Sequence, residues 1–152
     1  IGLLYYFNVV QMPGLADAAA DKGGPGGAGI SKYIAPRALL WFRWAALVTW
    51  LTGFWYLYRS GNLNAFLLGG DTDPFNYYQL VIGFGAWLGT IMLFNVWVLI
   101  WPNQKKVLGI VPATDEEKAA ARKTAMLASR TNFVLSVPML MCMVGAHHWM
   151  PV

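Results

Sequence analysis

Two histidines, His147 and His148, stand side by side at the end of an apolar run, and the chain has no others. The chemistry open to them is ligation. An imidazole on a membrane-crossing helix is a candidate axial ligand for haem iron, and an ionisable group inside an apolar run is a functional candidate by default. Helical neighbours point about 100° apart, so the pair cannot close on one metal from the same side. One reading makes His147 the axial ligand of a b-type haem, with His148 as the second candidate and the other axial ligand supplied from elsewhere. The other reading leaves two interfacial histidines at a helix end with no ligand.

A second constellation is polar: Arg43, Asn8, Asn95, Asn103, Arg130, Thr131 and Asn132. Asn95 lies in the middle of an apolar run and needs a hydrogen-bond partner, most simply on another helix. Arg43, less than two turns inside its run, either snorkels back to the surface or holds an anionic group. Arg43, Asn95, Arg130 and Asn132 are therefore expected to be structural polar residues. A quinone or purine site would need a pocket built around Arg43 and Asn95. No general base stands with a substrate clamp, so no catalytic residue is assigned and an enzyme is the less supported class. Cys142 is the only cysteine, which excludes an intrachain disulfide, and there is no Cys-x-x-Cys-His for covalent c-type haem. Asp71 and Asp73 are only two hard ligands, too few for a cation site, and read as a solvated turn.

The elements that must position these residues follow from composition. With 57% hydrophobic and 12% charged residues, the chain falls in the membrane class, which excludes a soluble enzyme. Three runs, at about 37–58, 76–101 and 131–149, match the roughly 20 helical residues that cross the hydrocarbon layer, and they contain no Asp or Glu. A fourth run, residues 1–12, covers only about 18 Å and reads as the late half of a first helix truncated at its N-terminus. The expected fold is a single all-α membrane domain over 1–152, a four-helix transmembrane bundle. A net charge of +4 comes without a basic stripe interleaved with aromatics, so nucleic acid is not an expected partner.

Basic residues set the topology. Lys22, Lys32 and Arg37 precede the second run, and Lys105, Lys106, Lys118, Arg122, Lys123 and Arg130 lie between the third and fourth, against Arg59 alone between the second and third. Positive charge marks the cytoplasmic side, which puts loops 13–36 and 102–130 in the cytoplasm and loop 59–75 with the C-terminus in the periplasm of a bacterial inner membrane. Trp41, Trp44, Trp97 and Trp101 then fall at the inner interface, while Trp50 and Trp87 are mid-span packing residues. The spans lack the polar stripe of a channel or transporter.

Local signals refine this picture. "GGPGGAG" makes the first loop a flexible connector, and the Pro-Asn pair at 102–103 ends the third run. Asp71 and Pro74 read as the start of a helix. Thr114 and Glu117 form a capping box that opens a cytoplasmic helix over about 115–130, leading straight into the fourth span. Gly85 and Gly89 are spaced for close helix contact, and Pro138 is expected to loosen the last helix near residue 134.

The stretches "WFRWAALVTWLTGF" (41–54), "GTIMLFNVWVLIWPNQKKVLG" (89–109) and "SRTNFVLSVPMLMCMVGAHH" (129–148) resemble the membrane domain of the bacterial urate oxidase amino-terminal family. The resemblance implies a short stand-alone form of a domain otherwise fused to a c-type cytochrome. It aligns His147 with a histidine of the family's closing helix and implies a second histidine upstream of Ile1. The cytochrome tail and extra central helices of the full-length enzymes are missing, which weighs against urate oxidation itself.

Three functions follow as expectations. The first is a membrane subunit of a larger respiratory or photosynthetic redox complex that binds haem b and transfers electrons. The second is a cofactor-free accessory subunit packed against other membrane proteins and the lipid bilayer. The third is a membrane-bound urate or purine oxidase.

Overall fold

A computed structural model describes residues 1–68 and 76–148, without the side chain of His147. Helix is the regular structure of the described residues, which contain no strand and form four long helices. Helix α1 covers 2–20 and α2 covers 30–59; α3 is Tyr77–Val107 and α4 is Asp115–His148. A short 3₁₀ turn, Leu63–Leu67, lies between α2 and α3. Helices α3 and α4 are long and apolar enough to cross a membrane. Helix α2 has the length, but Arg43 and its many Trp and Tyr residues make it less apolar.

Three of the helices contain a wide π-helical stretch, and each stretch stops two residues before a proline. Tyr6–Gln11 precedes Pro13, Ile30–Ile34 precedes Pro36, and Asn95–Ile100 precedes Pro102. A proline ring collides with the carbonyl one turn back and cannot donate to it. Widening that turn by one residue moves the carbonyl aside, and the helix continues.

This corrects two expectations. Residues 13–20 are not connector: Met12–Ala20 continues α1 through Pro13 on alanine-rich sequence, and only 21–29 link it to α2. The Pro-Asn pair at 102–103 does not stop α3, which runs on through Trp101–Val107. Pro138 lies inside α4 with no wide turn before it; having no N–H, it leaves the carbonyl of Val134 without its helical donor while the helix continues.

Helices α2 and α3 end alike. Gly61 and Gly109 take left-handed φ values of 72° and 75°. The next residue reaches back over a full turn in each case, Asn62 N–H to Leu57 O at 2.9 Å and Ile110 N–H to Lys105 O at 2.9 Å. Only glycine adopts that conformation without a Cβ penalty, so it closes the last turn and satisfies carbonyls that would otherwise be orphaned. At the start of α4 the capping box is reciprocal: Glu117 Oε2 accepts from Thr114 N–H at 2.9 Å, and Thr114 Oγ1 accepts from Glu117 N–H at 3.2 Å. Helix α3 is capped by Asn76, whose Oδ1 accepts from Gln79 N–H at 3.1 Å. The expected starters, Asp71 and Pro74, lie outside the described residues.

The chain divides into two compact units, Ile1–Ala45 with Asn95–Phe133, and Ala46–Phe94 with Val134–Val152. The second is built on small residues: Leu57, Ala65, Ile82, Ala86 and Ala146 form its buried cluster, flanked by Phe66, Tyr78, Val81 and Met143. A Cβ at Gly83 would collide with the carbonyl oxygen of Ala65, and one at Gly85 would lie 3.0 Å from Cys142 Cβ. Gly85 therefore makes the close contact its spacing suggests. Gly89 faces open space, and Gly83 is the second contact glycine.

Many large apolar side chains are exposed. On α2 they recur at Trp41, Trp44, Val48, Leu51, Trp55 and Tyr58, and on α4 at Val134, Val137, Met141 and Val144. Both series advance by alternating steps of three and four, which keeps them on one face of a helix.

Candidate functional site

The first unit gathers most of the polar residues that the sequence singles out. Asn95 opens the π-helical stretch of α3, and its Nδ2 donates to Oδ1 of Asn132 on α4 at 2.8 Å; both residues are buried, Asn132 to 1% exposure. A hydrogen bond between two amides with little access to water holds the helices in one register, because breaking it strands polar groups. Asn8, in the π-helical stretch of α1, donates to Ser129 Oγ on α4 at 3.0 Å and to Leu4 O at 2.9 Å. Asn103 donates to Leu99 O at 2.8 Å, occupying a carbonyl in the widened turn before Pro102. Arg130 and Thr131 are exposed and stand apart from these pairs.

Arg43 stacks on an indole. Its guanidinium carbon lies 3.5 Å from the centroid of Trp101, and Lys105 Nζ lies 5.7 Å from the same ring. Beside it Trp44 meets Trp97 edge-on at 5.6 Å. Trp97 Nε1 is buried with no hydrogen-bond partner, as is Gln11 Oε1. Arg43 and Asn95 are thus engaged with different partners, Trp101 and Asn132.

In the second unit, Trp50 and Trp87 are packing residues with satisfied indoles. Trp50 Nε1 donates to Thr90 Oγ1 at 2.9 Å, and its ring stacks on Phe54 at 5.5 Å. Trp87 Nε1 donates to Phe66 O at 3.1 Å. Cys142 carries a free thiol against Gly85.

The histidines sit on the last turn of α4. The His147 side chain lies outside the described residues, while His148 is exposed. Counting back by fours and threes from His148 meets Val144, Met141, Val137 and Val134, so this imidazole ends the exposed apolar series of α4. Among the described residues no three His, Cys, Asp or Glu side chains cluster to hold a metal ion.

Several of these residues could not be singled out from sequence. Ser129 and Trp101 matter only through Asn8 and Arg43 on other helices. Their one local signal is spacing: Ser129 lies one turn before Asn132, and Trp97 one turn before Trp101.

Residues 71–152, more than half of the chain, match the family model described as Urate oxidase N-terminal. No curated protein and no solved structure matches the chain.

Proposed function

The chain belongs to the urate oxidase N-terminal family, and from that premise we propose that it is an integral membrane subunit of a larger redox complex, docked through α4 and binding haem b at its terminal histidines. The observation that carries this reading is the register of α4. Val134, Val137, Met141 and Val144 expose one apolar face, and His148 continues it at the end of a helix long enough to cross a membrane. In lipid there is no hydrophobic force to bring helices together, so a subunit that associates through such a face relies on shape and on a few polar anchors. His148 would be such an anchor, with His147 as the second candidate ligand. Haem, when bound, supplies one-electron transfer; this chain's part is to hold the imidazole at a fixed depth. The opposite axial position would fall to the histidine that the family resemblance implies upstream of Ile1, or to another polypeptide.

Four membrane crossings, with residues 13–36 and 102–130 in the cytoplasm and residues 59–75 with the C-terminus in the periplasm, fit the asymmetry of basic residues. On that topology the histidines lie near the outer surface and Arg43, Trp101 and Lys105 near the inner one.

A cofactor-free accessory subunit is the second reading. It is favoured by the exposed series on α2, where Trp41, Trp44, Trp55 and Tyr58 offer a broad aromatic face to lipid or protein. The test is a reduced-minus-oxidised visible spectrum of the full chain purified from membranes with haem supplied. A b-type band that disappears in His148→Ala or His147→Ala supports the redox reading and names the ligand. A wild-type preparation without a band, or a band unchanged in both variants, removes the haem and leaves the accessory subunit.

A further inference from the structure

The stacking of Arg43 on Trp101 leaves the guanidinium's most useful edge unspent. A cation–π contact uses the face of the guanidinium, while its N–H donors lie in the plane and point outward as a fork. Among the described residues no hydrogen bond or carboxylate takes up these donors, and the one ion pair is Lys118 with Asp115. Lys105 approaches the same indole and is equally without a carboxylate. Lys106 differs, because its charge acts on Glu117. Two cations thus lie against one ring, and among the described residues neither is paired with a carboxylate. Beside them the buried Trp97 N–H is also without an acceptor.

We infer that Arg43, Trp101 and Lys105 form a binding site for the phosphate of an anionic phospholipid headgroup. Phosphate fits the geometry because its oxygens accept two parallel bonds from an arginine fork, while a second cation at the same ring adds attraction for a headgroup of net negative charge over a zwitterionic one. A lipid is the source favoured by the surroundings. Trp41 and Trp44, flanking Arg43 on α2, are 69% and 49% exposed, and amphipathic indoles of this kind sit at the headgroup level. Arg43 lies inside an apolar run, where a soluble anion has poor access and a headgroup anchored by its own acyl chains does not. The inner leaflet is also the anionic one. The site rests on the membrane topology proposed above, and it would fix α2 against α3 at the cytoplasmic end.

The test reconstitutes the full chain in nanodiscs of phosphatidylcholine with or without phosphatidylglycerol and counts retained lipids by native mass spectrometry. The wild type should retain phosphatidylglycerol over phosphatidylcholine. Arg43→Gln should weaken that retention about tenfold, the scale of one charge-assisted bidentate pair. Arg43→Lys, which keeps charge and apolar stem but loses the fork, should fall between, and Lys105→Gln should lose less. Equal retention by the wild type and both Arg43 variants overturns the site, as does displacement of the lipid by inorganic phosphate alone. A wild type that enters no nanodisc defeats the membrane reading itself, an outcome distinct from insertion without lipid preference.

Discussion

The two units keep helices together by opposite means. In Ile1–Ala45 with Asn95–Phe133 the contacts are polar: Asn95 with Asn132, Asn8 with Ser129, and Arg43 on Trp101. All three π-helical stretches lie there as well. In Ala46–Phe94 with Val134–Val152 one polar bond of that kind, Trp50 to Thr90, stands beside contacts that are mainly close: Gly83 against the Ala65 carbonyl, Gly85 against Cys142, and three alanines clustered with Leu57 and Ile82. Where lipid removes the hydrophobic drive, helices associate either through hydrogen bonds between side chains or by bringing backbones close enough for van der Waals contact. This chain uses each in a different place. The polar unit also carries the wide turns, since a stretch whose carbonyls are already displaced by a proline gains from amide side chains nearby.

The comparison breaks most sharply at Gly83. Gly83→Leu has no room against the Ala65 carbonyl and should destabilise by about 3 kcal/mol or prevent folding, whereas Gly89→Leu, facing open space, should be tolerated. Thermal unfolding of both variants in the same detergent reads the difference, and equal loss at the two positions would remove the close-packing account.

The polar unit predicts a smaller but non-additive effect. Asn132→Leu strands the Asn95 amide and should cost about 1–2 kcal/mol. Asn95→Leu combined with Asn132→Leu removes both partners and should recover much of that loss. A double-mutant cycle measures the coupling directly, and simple additivity would mean that the 2.8 Å bond contributes nothing.

The smallest effect is at the charged first turn of α4, which lies ahead of the apolar stretch. Thr114→Ala should cost about 1 kcal/mol as a lost cap. The Thr114 backbone N–H and then the nearby Lys106 hold the Glu117 carboxyl below its ordinary value. A depressed folded value means that the contribution is present above the unfolded pKa, about 4.3 for a glutamate, and is lost as pH falls through the lower folded value. Amide protection at the start of α4, taken relative to the intrinsic exchange rate at each pH, should therefore fall on acidification in the wild type and much less in Glu117→Gln.

Much of the helical scaffold is legible in the sequence because it is local. The capping box at Thr114 and Glu117, the continuous run into α4 and the need of Asn95 for a partner all follow from residues within a few positions of one another. What is not legible depends on other helices. Gly83 and Gly89 look alike in sequence, and only the chain that crosses each tells them apart. Pro13 and Pro102 read as breaks because a proline ends an ideal α-helix, yet a wide turn two residues earlier lets the helix pass. Trp101 reads as an interfacial aromatic until Arg43 is found on its face.

The proposed topology underlies both proposals, since it would put the histidines at one surface and the Arg43 site at the other. The most direct measurement introduces single cysteines at Lys22, Ser60 and Lys118 in a Cys142→Ala background and treats intact cells with a membrane-impermeant maleimide before and after lysis. The expected result is labelling of position 60 in intact cells and of 22 and 118 only after lysis. Equal labelling of all three, or the reverse pattern, would contradict the proposed crossing of the membrane and the two sites assigned to its opposite faces.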